Sequence, residues 1–151
     1  MSLDDYLEEL GSATPIKTKS QELFEYAKLI CPEEITDFFV SEYATKDGAH
    51  VLDSLVFFSN KYCIECKKIL SSEYNLDIAC LFGNIERFEI TYENYNPQEP
   101  DKTADDSKIR IEGFSGNWVL QLKASKNNCS RLFSIIMKYF KPNLIEIIER
   151  D

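Results

Sequence analysis

One pair of cysteines has a spacing that could do chemistry. Cys63 and Cys66 are separated by Ile64 and Glu65, and the same spacing occurs in metal sites and in redox-active dithiols. The pair lies in a run typical of a β-strand, where residues three apart face opposite sides of the sheet. The sequence contains no second closely spaced cysteine pair, and His50 is its single histidine. We therefore interpret both cysteines as core residues and predict no metal ion and no cofactor.

Catalysis would need a nucleophile with a base, paired acids in a cleft, a metal site or a phosphate-binding loop. Adjacent acidic pairs occur at Asp4-Asp5, Glu33-Glu34 and Asp105-Asp106, where exposure to solvent explains them. The five glycines are scattered at turns and form no glycine-rich loop. A cysteine–histidine pair is compatible with the sequence, but no feature favours it. We predict that the protein is not an enzyme and assign no catalytic residue.

The composition is that of a folded, acidic protein. The chain of 151 residues is long enough for one domain with a core, and 44% of the residues are apolar. A formal net charge of −9 argues against bulk electrostatic binding to nucleic acid or to anionic lipid surfaces. The apolar runs are too short for a membrane span, and the acidic N-terminus has no signal-peptide pattern. We expect a cytoplasmic protein that binds no nucleic acid and has no transmembrane segment.

Two amphipathic helices are predicted before the first strand. The first spans 2–10, with Ser2 as its N-cap and Gly11 at its end. A polar linker, 12–19, joins it to the second helix, which spans 20–30 and stops before a proline. We assign residues 1–30 as an N-terminal helical extension.

Seven strands are predicted after these helices. Their apolar, β-branched and aromatic residues alternate with polar ones or form short runs between turn residues. The apolar spacing of the first of these segments, 34–43, is also compatible with a helix, but we prefer a strand. A polar segment, 96–106, is predicted to be an exposed and mobile loop. The predicted strands are 34–43, 51–59, 62–69, 76–81, 86–95, 107–113 and 117–123.

The last two strands and the segment that follows them organise the rest of the predicted fold. Glycine and asparagine in the turn between these strands suit a short antiparallel hairpin. After Ala124 the apolar spacing changes from two to three and four, which predicts one long amphipathic helix. Its apolar stripe consists of Cys129, Leu132, Phe133, Ile135, Ile136, Tyr139 and Phe140. We expect a core between the last strand and this helix that contains Trp118, Leu120, Leu122, Phe133 and Ile136.

The order of these elements resembles the pleckstrin-homology superfold, and in particular its bacterial branch. The resemblance covers roughly 31–140. It rests on the segments Cys-Pro-Glu-Glu-Ile at 31–35, the hairpin at 55–64, Ile-Glu-Arg-Phe-Glu-Ile at 85–90 and Trp-Val-Leu-Gln-Leu at 118–122. It implies an α+β, mainly β, fold: a partly open barrel of seven antiparallel strands capped by the C-terminal helix. We assign 31–141 as this domain and 142–151 as an apolar C-terminal tail.

Domains similar to this one bind lipid headgroups, peptides or other proteins. A phosphoinositide would need several converging cations near the first hairpins. The first hairpin, 45–50, offers only Lys46 beside an acid, and the second offers Lys61, Lys67 and Lys68 with no arginine. We interpret these lysines as a solvated face and predict no phosphoinositide binding.

These observations favour a non-enzymatic protein-interaction module whose ligand, binding residues and partner the sequence leaves unknown. The alternative is an acidic inhibitor or immunity-type protein that blocks a partner enzyme. The tail adds a possible self-association site, because Leu144, Ile145, Ile147 and Ile148 would form one face of a helix. We therefore also consider a homo-oligomer formed through the tail or the N-terminal helix.

Overall fold

The structure is a computed structural model that describes residues 1–12, 14–44, 50–67, 77–82 and 87–141. A turn of π-helix, Ile136–Phe140, continues the last helix. The helices and strands are α1 (Leu3–Glu9), α2 (Thr14–Ile30), β1 (Asp37–Ala44), β2 (His50–Phe58), β3 (Tyr62–Lys67), β4 (Asp77–Phe82), β5 (Arg87–Glu93), β6 (Lys108–Ser115), β7 (Trp118–Ser125) and α3 (Asn128–Ile135).

The strands form two sheets, with the orders β1-β2-β3-β4 and β5-β6-β7. The registered pairs β1–β2, β2–β3, β5–β6 and β6–β7 are antiparallel. The prediction of an α+β, mainly β, protein is confirmed. The prediction of seven strands in one barrel is wrong, because backbone pairing among the described strands stops after β4 and starts again at β5. Sequence alternation predicts the faces of a strand but not which strand edges join.

The chain divides into two compact units, Met1–Leu81 and Phe82–Asp151. In the first unit, α1 and α2 pack on one face of the first sheet. The helices contribute Leu3, Tyr6, Leu7, Leu23 and Ala27, and the strands contribute Phe38, Val40, Leu55, Phe57, Ile64 and Cys66. A seven-residue helix such as α1 is marginal in isolation, so this burial stabilises it. The predicted extension, 1–30, therefore shares a core with the strands.

The ends of α1 and α2 depend on local signals in the sequence. Ser2 caps α1 as predicted, since its Oγ accepts a hydrogen bond of 3.1 Å from the backbone N–H of Asp5. Gly11 follows with a φ of +73°, which suits glycine. The second helix begins at Thr14, inside the predicted linker. The missed signal is Pro15, because proline is favoured in the first turn of a helix.

In the second unit, α3 packs on β6 and β7. The strands bury Ile109, Ile111, Leu120, Leu122 and Ala124, and the helix and its π turn bury Cys129, Leu132, Ile135, Ile136, Tyr139 and Phe140. The predicted alternation and helical stripe therefore describe this core, with one correction. Phe133 was expected to be buried, but it is only half-buried, because it lies on the flank of the helix against Tyr95. The side chain of Trp118 lies outside the described residues.

The predicted single helix changes its hydrogen bonding at Ile136. Its last turn is π-helical, and the backbone N–H of Lys141 donates to the carbonyl of Ile136. The turn of the preceding β6–β7 hairpin is shorter than predicted, because Ser115 at the end of β6 pairs directly with Trp118 at the start of β7. Gly116, with a φ of +57°, supplies the left-handed conformation in that turn. The predicted tail, 142–151, lies outside the described residues.

Candidate functional site

Cys63 and Cys66, whose spacing occurs in metal and redox sites, do not lie on the same face of β3. Cys66 shares the core face with Ile64, so Cys63 lies on the opposite face of the strand. Both side chains are buried. In the described part of the chain, no three His, Cys, Asp or Glu side chains lie close enough to hold a metal ion.

The cations considered for a lipid headgroup fall largely outside the described side chains. His50 begins β2 and Lys67 ends β3, but their side chains are not described. Residues 45–49 and Lys68 lie outside the described residues. Lys61 is exposed at the turn between β2 and β3. The described residues therefore bring no cluster of these cations together.

Glu33, a member of one of the predicted acidic pairs, has a defined structural role. Its carboxylate accepts hydrogen bonds of 2.7 Å from the Ser59 hydroxyl and from the backbone N–H of Lys61. These bonds, the one from Ser59 most of all, lower the pKa of Glu33 below its ordinary value. The carboxylate therefore ties the segment before β1 to the β2–β3 turn.

An open depression of about 560 Å³ lies between α1 and α2. Polar contacts cross from one helix to the other here: the Gln21 amide donates to Asp4 at 3.0 Å, and Lys17 pairs with Glu8. The depression is a shallow gap between two polar, solvent-facing helix surfaces. Its lining residues do not converge on a position where a ligand could bind.

The feature with the strongest potential for binding is the edge of the second sheet. Strand β5 has one strand neighbour in that sheet, β6. Its residues alternate between exposed and half-buried, and the half-buried row is Phe88, Ile90 and Tyr92. Ile90 stands opposite Ile111 in the register, yet Ile111 is fully buried. An apolar row is therefore partly open to solvent along a sheet edge.

The position of the last helix explains this exposure. It packs over β6 and β7. Its contact with β5 is made at its flank. Two aromatic contacts join the flank to β5 and the residues after it: Phe140 meets Phe88 with ring centroids 6.4 Å apart, and Phe133 meets Tyr95 at 6.2 Å. Since Phe88 lies near the start of β5 and Tyr95 follows the strand, the helix runs antiparallel to it.

We name the resulting surface the β5–helix seam. It consists of half-buried or exposed apolar side chains from the strand and from the helix flank. Its members are Phe88, Ile90, Tyr92, Phe133 and Met137.

Aromatic packing closes one end of the β5–helix seam. The rings of Tyr92 and Tyr95 stack with centroids 5.8 Å apart, and the Tyr95 hydroxyl donates to the carbonyl of Pro100 at 2.8 Å. Burial raises the pKa of both hydroxyls, that of Tyr95 to about 12. Tyr95 therefore acts as a neutral hydrogen-bond donor that anchors the following loop.

The loop 96–106, predicted to be exposed and mobile, is largely exposed and makes hydrogen bonds to the first turn of α3. The Thr103 hydroxyl donates to the side chain of Asn127 at 2.6 Å, and the Ser130 hydroxyl donates to the carboxylate of Asp101 at 3.1 Å. At its C-terminal end, the Ser107 hydroxyl donates to the carbonyl of Asn94 at 2.7 Å. The loop therefore forms a border beside the first turn of α3.

Sequence reasoning identified the strand that carries Phe88, Ile90 and Tyr92 but not its partial exposure. The alternation of β5 has the same form as that of β6. One signal for this exposure was available in the sequence. Met137, an apolar residue, falls outside the predicted helical stripe, on the flank beside Phe133, and it is exposed in the structure.

Comparison with protein-family models, with curated proteins and with solved structures finds no match in any of the three. No helix in the described residues has the length and apolar character needed to cross a membrane.

Proposed function

We propose that the protein is a non-enzymatic interaction module that binds an extended segment of a partner protein along β5. The observation that carries this proposal is the half-buried apolar row of β5, opposite a fully buried row on β6. The order of seven strands followed by a helix supports the resemblance to the pleckstrin-homology superfold. In similar domains, peptide segments bind between an edge strand and the capping helix.

The chemistry of an edge strand supports an extended ligand. Such a strand presents unpaired backbone N–H and C=O groups, which can pair with an added strand. The alternate side chains of that added strand would reach the β5–helix seam, where Ile90 and Met137 offer apolar contact. Backbone pairing supplies affinity, and the apolar contacts supply selectivity.

A display library of random linear peptides, selected against the purified full chain, tests this proposal. We expect enriched peptides with apolar residues at alternate positions. Their binding should slow hydrogen exchange in the backbone of β5. The substitution Ile90→Arg should weaken the selected peptides about tenfold. Thr91→Arg is the matched control, because Thr91 is exposed on the other face of the same strand, and it should change affinity about twofold or less.

A second variant guards against misfolding of Ile90→Arg. Met137 is an exposed side chain of the helix flank, so Met137→Glu should leave the thermal unfolding midpoint unchanged and still weaken the peptides. Peptides that bind both variants as well as they bind the natural chain would overturn the proposal. Failure to enrich any peptide would overturn it too.

The acidic inhibitor remains the second candidate, and the surface of the N-terminal helices favours it. Exposed acids cover both helices: Asp4, Asp5, Glu8, Glu9, Glu22 and Glu25. Such a surface complements a basic partner. This function requires stoichiometric binding that abolishes the activity of a basic enzyme. Charge reversal at Glu22 and Glu25 would then restore the activity of that enzyme, whereas Ile90→Arg would not.

A further inference from the structure

The face of β5 opposite the β5–helix seam is exposed and carries two glutamates. The residues that alternate with the half-buried row are Arg87, Glu89, Thr91 and Glu93, and all four are exposed. A strand that pairs with β5 would present two rows of side chains, because successive residues point to opposite faces of a sheet. One row would reach the β5–helix seam, and the other would lie beside these four residues. Both faces of β5 therefore contribute to recognition.

Glu89 has no neutralising partner in its own sheet. It stands directly opposite Glu112 of β6 in the register, and like charges in such a pair are unfavourable. The carboxylate of Glu112 accepts a hydrogen bond of 3.1 Å from the Gln121 amide on β7 and lies 3.9 Å from the Nε of Arg110. Glu89 itself forms no hydrogen bond or ion pair with another described residue. Its charge is therefore available to a strand added at the open edge.

The neighbours of Glu89 on this face leave Glu93 available as well. Glu93 stands opposite Lys108 in the register, but no ion pair joins these two described side chains. The Arg87 guanidinium lies 4.4 Å from the ring centroid of Phe114 on β6, so it is turned towards β6 and away from the open edge. Thr91, between the two glutamates, is uncharged. An added strand would therefore meet two carboxylates, four residues apart, that the sheet does not neutralise.

We propose that the segment bound along β5 carries two basic residues four positions apart, one beside Glu89 and one beside Glu93. This inference rests on the proposed function and specifies the chemistry of its ligand. Opposite charges on paired strands attract, and strand alternation turns the intervening neighbours to the seam. The pattern of the segment is basic, apolar, any residue, apolar, basic. Its apolar residues would lie beside Ile90 and Tyr92, and its unrestricted position beside Thr91.

The same two glutamates argue against a second copy of β5 as the occupant. Antiparallel pairing of two β5 strands centred on Thr91 would put each Glu89 beside a Glu93, which makes two like-charge pairs. Charges on an edge strand commonly prevent unwanted strand pairing in this way. A basic segment replaces the repulsion by attraction. The charges therefore favour a basic partner over an acidic segment or another copy of this strand.

The test repeats the peptide selection against the full chain and against the double reversal Glu89→Lys with Glu93→Lys. We expect two basic residues four apart in the peptides enriched by the natural chain, and acidic residues at these positions with the variant. The reversal should weaken the basic peptides about three- to tenfold. Rising salt concentration should weaken their binding to the natural chain, because salt screens exposed charges.

Two further variants control this test. Glu9→Lys with Glu22→Lys makes the same change of net charge at exposed positions of α1 and α2, and it should alter the affinity of the basic peptides about twofold or less. Glu89→Gln with Glu93→Gln removes the charges and keeps the side-chain shape. It should weaken the same peptides about two- to threefold and leave the thermal unfolding midpoint unchanged.

Two failures are distinguishable. Peptides that bind the natural chain and both glutamate variants equally well, yet remain sensitive to Ile90→Arg, would overturn the charge inference and leave the proposed function intact. If no enriched peptide is sensitive to Ile90→Arg, both the proposed function and the inference are wrong.

Discussion

The backbone N–H of Val40 donates a hydrogen bond of 3.0 Å to the hydroxyl of Tyr6. Val40 lies on β1, an end strand of the first sheet, and Tyr6 lies on α1. The helix thus satisfies a backbone donor of an edge strand, which is one way proteins block unwanted strand pairing. The contrast is with β5, whose apolar row is partly open to solvent.

Loss of the Tyr6 hydroxyl should destabilise the first unit. The substitution Tyr6→Phe leaves the buried N–H of Val40 without this acceptor, which costs about 1–3 kcal/mol of the free energy of unfolding. Urea denaturation measures the change. Tyr26→Phe is the control, since the Tyr26 side chain is exposed and its loss should have little effect. Equal midpoints for Tyr6→Phe and the natural chain would contradict the assigned role.

Burial predicts which of two neighbouring residues of α3 contributes more to the free energy of unfolding. Leu132 is fully buried, so Leu132→Ala should cost about 2–5 kcal/mol. Phe133 is half-buried, so Phe133→Ala should cost less, about 1–2 kcal/mol, despite its larger side chain. Denaturant unfolding of both variants decides the ranking. A greater loss for Phe133→Ala would place that ring in the core, as the helical pattern alone suggested.

Tyr95 predicts a loss of stability at alkaline pH. Burial raises the pKa of its hydroxyl to about 12 from the ordinary value of 10.0, so the folded chain holds this proton more tightly than the unfolded chain. The contribution is complete below about pH 10 and is lost as pH rises towards about 12. Tyr95→Phe should therefore flatten the decline over that interval, measured as unfolding midpoints against pH. An unchanged decline would mean that other groups cause it.

The apolar tail predicts concentration-dependent self-association. Leu144, Ile145, Ile147 and Ile148 give an acidic chain a dense apolar segment, which favours a covered over a solvated state. We expect light scattering to detect a dimer of the full chain and a monomer of a version that ends at Lys141. If both are monomers, the tail does not mediate association. If both are dimers, the contact lies elsewhere.

Features that depend on near neighbours along the chain can be predicted from the sequence. The alternation of Ile109 and Ile111 predicts a strand with one buried face, because side chains of a strand point to opposite faces in turn. Leu132, Ile135 and Ile136 predict a helix with one buried stripe for the corresponding reason. Ser2 and Gly11 predict the two ends of α1, since caps act within a few residues.

Which apolar faces of these elements are covered depends on packing between distant parts of the chain. Phe88, Ile90 and Tyr92 alternate in the same way as the buried residues of β6, yet they are half-buried, because the helix packs over β6 and β7. Likewise, the stripe of α1 does not predict that Tyr6 will reach Val40, thirty-four positions away. Burial of a given side chain depends on which distant surfaces cover it, and local periodicity carries no information about those surfaces.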